Sequence, residues 1–236
     1  EIVAAYAADT AGTVIIDGDA KLSVSDNITS TEANTLDAKT TGVITATIST
    51  TAIADLDDLT GTGNAYTITV GTASVTAAAL KAVNDATTVN VTATAVTAIS
   101  GTAADLASVY GGGITGLGDE TVTVSNAQVT AADLKTINAG TTVNVVATAV
   151  TQITGSAADL ADVYDGGISN LGDETIILTD TTLAAATLTP TVNGYSNVAI
   201  NANSVTTLTG TNAEIVAAYA ADTAGTVIID GDAKLS

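Results

Sequence analysis

Short stretches of the chain alternate between apolar and polar residues, as residues 88–93 (TVNVTA) and 120–124 (ETVTV) do. An alternation with a period of two predicts short β-strands with one face turned inward. Several of these stretches are followed by a Thr or Ser with an acidic residue three positions later, which is the spacing of a capping box at a helix start. The pairs are Thr102/Asp105, Thr130/Asp133, Ser156/Asp159 and Thr211/Glu214.

Apolar residues after these capping pairs recur at helical spacing. They lie at positions i, i+3 and i+4, which predicts a short helix with one inward stripe. The three sets are Leu106/Val109/Tyr110, Leu160/Val163/Tyr164 and Ile215/Ala218/Tyr219. Glycines at 111–113, 140 and 166–167 end the pattern, because glycine adopts the left-handed conformation that closes helices. Pro190 would stand inside the helix that the pattern places after Ala184, so we predict a turn there.

The chain is repetitive at three levels. Residues 1–23 recur without a change as residues 214–236, so the chain is slightly longer than one period of a tandem array. Within that period residues 75–124 match residues 129–178, and weaker copies begin at Ile28 and Leu183. Inside these four units the capping positions, such as Thr102, Thr130 and Ser156, follow one another at a shorter and nearly constant spacing. The elementary repeat is about 27 residues long.

A repeat of this length predicts a solenoid, in which each coil buries its apolar face against its neighbours. We expect residues 1–236 to form one continuous segment of parallel β-strands stacked coil on coil with short helices, an α/β solenoid. Residues 1–213 would be one period of about eight coils, and residues 214–236 the start of the next. A right-handed β-solenoid is the close alternative, since stretches such as residues 96–99 could form a second strand in each coil. Stacked strands lie about 4.8 Å apart and packed helices about 8–10 Å, so we expect a curved or twisted rod.

Composition and charge argue against an enzyme. The chain has 46 Thr and 45 Ala but no Cys, His, Met, Phe, Trp or Arg, so the side chains that most often carry acid–base, thiol or phosphate-binding chemistry are missing. We predict no catalytic residue. Twenty-five acidic residues against five lysines give a net charge of −20, which excludes nucleic acid as a direct partner. No stretch approaches the roughly 18 apolar residues of a membrane span, so no membrane insertion is expected.

Acidic residues in glycine-rich turns are the candidates for a metal site, and no other cofactor is expected. Carboxylate oxygens in such turns suit calcium, although neither the RTX nonapeptide nor the EF-hand loop is present. Turn acids exposed to solvent are the favoured interpretation, and bound calcium is the alternative. The calcium candidates are Asp119, Glu120, Asp173, Glu174, Asp17 and Asp19.

Threonine and tyrosine patterns each allow a binding interpretation, and the sequence disfavours both. Thr-x-Thr pairs resemble the lattice of ice-binding solenoids, but Thr92 aligns with Val146 in the next unit, so no unbroken threonine ladder forms. We interpret the threonines as strand residues, caps and possible O-glycosylation sites. The repeated tyrosines could line a sugar-binding surface, but their place on the apolar helix stripe favours the edge of the core. They are Tyr6, Tyr110, Tyr164 and Tyr219.

Residues 96–125 (VTAISGTAADLASVYGGGITGLGDETVTVS) and 205–220 (VTTLTGTNAEIVAAYA) resemble repeats of giant, acidic, Thr- and Ala-rich secreted surface proteins of marine bacteria, including the motility-associated type of cyanobacteria. The resemblance implies export and an extracellular or cell-surface stalk, coat or adhesive filament. The partners expected are adjacent repeats of the same chain and neighbouring copies, laterally or end to end. A repeated binding module for glycans or a host surface is the alternative function.

Overall fold

The computed structural model describes residues 1–11, 16–229, 231 and 234–235, so parts of both copies of the repeated segment (residues 1–23 and 214–236) lie outside the described residues. The α-helices in the described ranges, α1–α8 in chain order, are Ile2–Thr10, Ser30–Asp37, Ile53–Leu56, Ala77–Asp85, Ala103–Tyr110, Ala131–Gly140, Ala157–Tyr164 and Asn212–Thr223. The β-strands, β1–β18, are Leu22–Ile28, Ile44–Ile48, Ala65–Thr67, Ser74–Thr76, Val91–Thr92, Ala98–Gly101, Ile114–Thr115, Thr121–Val124, Gln128–Thr130, Val145–Val146, Gln152–Gly155, Ile168–Ser169, Thr175–Leu178, Thr182–Ala184, Ile200–Ala202, Thr207–Thr209, Val227–Ile229 and Lys234–Leu235.

The residues form two compact units. The first combines Glu1–Ile99 with Ser108–Glu120, and the second combines Ser100–Ala107 with Thr121–Ser236. In the first unit, β1, β2 and β3 form one parallel sheet in that order, and β5 pairs in parallel with β7. The single continuous segment expected over residues 1–236 stays a prediction.

The second unit holds further parallel sheets. Strands β9, β11, β13, β15 and β17 form a sheet in which each strand pairs with the next strand of the series. Strands β14, β16 and β18 form another, and β8, β10 and β12 lie side by side in a third. The fold is thus α/β with several parallel sheets and short helices, which confirms that part of the prediction.

Most paired residues in these sheets lie closer in sequence than the predicted repeat of about 27 residues. Thr45 pairs with Ala65 and Val145 with Ile168, for example. The spacing between paired strands is therefore shorter than the spacing between helix starts, on which the predicted repeat is based. Strand β6 overlaps the second strand that the β-solenoid alternative places at residues 96–99 and extends beyond it.

The predicted helix starts are confirmed. Hydroxyl groups of Thr102, Thr130 and Ser156 accept hydrogen bonds at 3.1–3.2 Å from the backbone N–H three residues later. Thr211 and Glu214 form a complete capping box. The inward residues of α5 and α7, such as Leu106 and Leu160, are buried. Around Pro190 the chain forms an irregular π-helical turn, Thr187–Thr191, followed by a short 3-10 turn, Val192–Gly194, and Thr189 departs from helical geometry.

Candidate functional site

A buried carboxyl group organises the turn that precedes β8. Glu120 has no exposed surface. Its Oε2 atom accepts hydrogen bonds from the backbone N–H of Gly118 at 2.7 Å and of Asp119 at 3.2 Å, and its Oε1 atom accepts one from the hydroxyl of Tyr110. Burying a carboxyl group is costly unless its oxygens are hydrogen-bonded. Glu120 therefore joins the end of α5 to the turn before β8.

The same arrangement recurs in the next unit of the repeat with one difference. Glu174 is also fully buried, and its Oε2 atom accepts hydrogen bonds from Gly172 N–H at 2.8 Å and Asp173 N–H at 3.2 Å. Its Oε1 atom and the hydroxyl of Tyr164 are buried without a hydrogen-bond partner. The ring of Tyr164 stacks on Tyr195 with centroids 4.6 Å apart. The repeat around Glu174 thus keeps the same turn, but the tyrosine makes a ring contact in place of a hydrogen bond to the carboxyl group.

The six calcium candidates lie in two kinds of environment. Glu120 and Glu174 are buried and engaged by backbone donors, whereas the other four, Asp17, Asp19, Asp119 and Asp173, are exposed. In the ranges that the structure describes, no three Asp, Glu, His or Cys side chains are grouped as a metal ion would require. Bound calcium at these positions stays the alternative to solvated acids.

The tyrosines lie at the edge of the core or within it. Tyr6 is 4% exposed and Tyr66 is 1% exposed, while Tyr110, Tyr164 and Tyr219 are half-buried. Burial raises the pKa of Tyr66 to about 12, and the charge of Asp37 adds to the effect. Burial also raises the pKa of Tyr110, which its hydrogen bond to Glu120 raises further. The hydroxyls of Tyr66 and Tyr110 therefore stay protonated over the physiological pH range.

Hydroxyl side chains connect neighbouring segments of the chain, a role that the sequence interpretation missed. In each case the hydroxyl of a Thr or Ser donates to a backbone carbonyl of the segment before it. These hydrogen bonds lie beside the strand pairing and add a side-chain bond to those of the backbone. We call each of them a hydroxyl rung. The pairs are Thr40 to Ala20, Thr87 to Tyr66, Thr88 to Asn64, Thr97 to Ala73, Thr115 to Val91, Thr151 to Ala127, Ser169 to Val145, Ser196 to Glu174 and Thr206 to Thr181.

Four helix N-termini are satisfied from the following segment, and α2, α5 and α7 among them also by their own capping side chain. The first backbone N–H of four helices donates to a side chain of the segment that comes next in the chain. This bond satisfies one of the orphan N–H groups at each helix start. The pairs are Ser30 to Thr50, Ile53 to Thr72, Ala103 to Asn126 and Ala157 to Asp180.

One ion-pair cluster also joins neighbouring helices. The ammonium of Lys135 on α6 lies 3.1 Å from Asp159 and 2.6 Å from Asp162 on α7. The hydrogen bond from Lys135, followed by the one from Ser156, lowers the pKa of Asp159 below its ordinary value. Exposed pairs of this kind add little to stability but favour one register of the two helices.

Thr87 forms the hydroxyl rung with the most hydrogen bonds, so the loss of its hydroxyl should measurably lower the stability of the fold. Its hydroxyl donates to Tyr66 C=O at 2.7 Å and accepts from the N–H groups of Tyr66 and Val89 at 3.0 and 3.1 Å. The variant Thr87→Val should lower the free energy of unfolding by about 1–2 kcal/mol, because valine keeps the shape of the side chain but loses the hydrogen bonds of the hydroxyl. Thr87→Ser is the control and should lose about 0.8 kcal/mol or less. Urea unfolding and amide exchange at Tyr66 test this, and a fully stable Val variant would contradict it.

No family model, curated protein or solved structure matches this chain. Of the helices in the described ranges, none has the length and apolar character to cross a membrane.

Proposed function

We propose that the chain is a structural segment, a stalk, coat or filament, of a giant repetitive protein at the cell surface or outside the cell. In this proposal the chain is a continuous α/β solenoid of parallel strands. The observation that carries it is the recurrence of residues 1–23 as residues 214–236 without a change. A repeated rod needs each copy to present the same surfaces to its neighbours, and unchanged copies do so.

The contacts between segments support a continuous stack. Parallel pairing, hydroxyl rungs and helix-start bonds all connect residues that lie about one turn of the stack apart in sequence. Within each of the two compact units, these contacts hold a segment to its neighbours, as in the nearest-neighbour arrangement of solenoid proteins. At the observed strand separations, residues 1–213 would form about nine turns of such a stack.

Composition supports an exterior location for the segment. A net charge of −20 keeps a repetitive protein soluble where salt screens its self-repulsion. The resemblance to secreted surface proteins of marine bacteria points the same way. The proposal assigns no catalytic role to any residue and places the function in length and stiffness.

Chains of one, two and three periods test the proposal. With about nine turns per period and about 4.8 Å per turn, each added period should lengthen the particle by about 40–45 Å. Small-angle X-ray scattering should show a maximum dimension that grows linearly with the number of periods while the cross-section stays constant. A cross-section that grows with the number of periods, as in a cluster of globules, would contradict the proposal.

A further inference from the structure

Two successive repeats place the same tyrosine and glutamate in different contacts. Tyr110 ends α5 and donates its hydroxyl to Oε1 of Glu120, ten residues later in the chain. Tyr164 ends α7 and precedes Glu174 by the same number of residues. The hydroxyl of Tyr164 and Oε1 of Glu174 are nevertheless both buried without a hydrogen-bond partner among the described residues. Buried polar atoms without a partner cost free energy, so another contact must hold Tyr164 away from Glu174.

The backbone around the two glutamates is the same in both repeats. Oε2 of Glu174 accepts hydrogen bonds from the N–H groups of Gly172 and Asp173 at 2.8 and 3.2 Å. The corresponding two bonds to Oε2 of Glu120 measure 2.7 and 3.2 Å. Both glutamates are fully buried. The geometry of the turn therefore does not explain why the second tyrosine lacks its bond to the carboxyl group.

The difference lies in the ring that covers Tyr164. Tyr195 stacks on Tyr164 with the ring centroids 4.6 Å apart and the ring planes at 3°. An aromatic stack and a hydrogen bond contribute free energies of similar size. The two contacts can therefore compete for one tyrosine, and the loss of either one favours the other.

A glycine takes the place of Tyr195 in the preceding repeat. Ser196 and Thr141 correspond, because each hydroxyl oxygen accepts a hydrogen bond at 3.1–3.2 Å from the N–H of the valine two residues later. The residue before Thr141 is Gly140. The variant Tyr195→Gly thus gives the later repeat the residue of the earlier one.

Two hydrogen bonds hold the turn that carries Tyr195 without help from its ring. The hydroxyl of Ser196 donates to the carbonyl of Glu174 at 2.6 Å. The N–H of Asn197 donates to the carbonyl of Gly172 at 2.7 Å. Removal of the ring therefore leaves this turn attached to the glutamate turn.

We propose that Tyr164 has two alternative positions and that Tyr195 selects between them. With the ring of Tyr195 in place, Tyr164 stacks on it. Without that ring, Tyr164 turns towards Glu174 and donates its hydroxyl to Oε1, as Tyr110 does to Glu120. The packing of one segment thereby decides the hydrogen bonding of the segment before it. This proposal concerns contacts inside the second compact unit and does not depend on the proposed function.

Removal of the Tyr164 hydroxyl tests the proposal by urea unfolding. In the wild type, Tyr164→Phe should leave the equilibrium constant of unfolding unchanged or lower it, because the hydroxyl has no hydrogen bond to lose. In the Tyr195→Gly background the same substitution should raise that constant about tenfold, because the hydroxyl then bonds to a carboxyl group. Tyr110→Phe in the wild type should have a similar effect. Tyr195→Phe keeps the ring, so Tyr164→Phe should have no cost in that background.

Two outcomes of these measurements would overturn the proposal. One is an equal effect of Tyr164→Phe with and without the ring of Tyr195, and the other is a tenfold effect in the wild type. Tyr195→Ala takes the place of Tyr195→Gly if the glycine variant does not fold. Asp165→Gly is a further control, since Asp165 stands where the earlier repeat has Gly111. If Asp165→Gly alone makes Tyr164→Phe costly, Tyr195 is not the residue that selects the position.

Crystal structures of the wild type and of Tyr195→Gly give the direct readout. In the variant, the hydroxyl oxygen of Tyr164 should lie within about 2.5–3.0 Å of Oε1 of Glu174, which is the range of an O–H···O hydrogen bond. In the wild type it should lie beyond that range, with the two rings stacked. A Tyr164 that keeps its position in the variant would overturn the proposal.

Discussion

Replacing Glu120 with alanine should lower the free energy of unfolding by about 3–5 kcal/mol, because three donors lose their acceptor. They are the N–H groups of Gly118 and Asp119 and the hydroxyl of Tyr110. A buried donor without a partner costs about 1–3 kcal/mol. Urea unfolding measures the total loss, and amide exchange should show the turn and the end of α5 opening first.

Two further substitutions control that experiment, one beside Glu120 and one at the equivalent glutamate of the next repeat. Asp119→Ala removes an exposed acid beside Glu120 and should change the free energy of unfolding by less than about 0.5 kcal/mol. Glu174→Ala should cost less than Glu120→Ala, because Oε1 of Glu174 has no hydrogen-bond partner to lose. A stable Glu120→Ala variant would contradict the assigned role. If Asp119→Ala destabilises the chain only in the presence of calcium, the calcium prediction gains support.

Local features of the fold were predictable because they depend on residues close in sequence. The hydroxyl of Ser156 and the N–H of Asp159 are three residues apart, and the helix that they start follows directly. The inward stripe of Leu160 and Val163 lies on the same helix and is buried. A spacing pattern reveals contacts of this kind without knowledge of the rest of the chain.

The separation between paired strands was not predictable from the motif spacing. Thr130 and Ser156 both cap helices and occupy equivalent positions in the motif, but Thr130 pairs with Thr154 and not with Ser156. Gly155 and Ser156 therefore lie between the paired position and the next helix. Strand pairing follows backbone hydrogen bonding, whereas the motif follows the helix starts, and the two periods need not agree.

The role of Glu120 was hidden by its neighbours in sequence, although a signal was present. Adjacent acids in a glycine-rich turn suggest exposure to solvent or a calcium ion. However, Glu120 alternates with Val122 and Val124, which are both buried, so the period of two places it on the inward face. A tyrosine also precedes the glutamate at the same spacing in both copies. The hydroxyl rungs carried no comparable signal, since a rung such as Thr87 to Tyr66 depends on a register that only the structure supplies.

Gly113→Ala should lower the free energy of unfolding by about 2–4 kcal/mol, through backbone strain and a steric overlap. Gly113 has φ +85°, and a residue with a Cβ atom costs about 1–2 kcal/mol in that left-handed region. The added Cβ would also overlap the side-chain amide of Asn84, whose displacement adds about 1–3 kcal/mol. The N–H of Val91 donates to the carbonyl of Gly113 at 2.8 Å, so the damage should spread into the pairing of β5 with β7.

A second substitution separates the two causes of that loss. Asn84→Ala in the Gly113→Ala background removes the overlap but leaves the backbone strain, so it should restore only part of the stability. Gly194→Ala is the matched control, because no atom lies within 4 Å of its added Cβ and its φ is not in the left-handed region. Thermal unfolding of the four proteins, with amide exchange at Val91, measures both effects. Equal stability of Gly113→Ala and Gly194→Ala would contradict this prediction. In that case, the close approach of this turn to Asn84 on helix α4 does not hold the two segments in register.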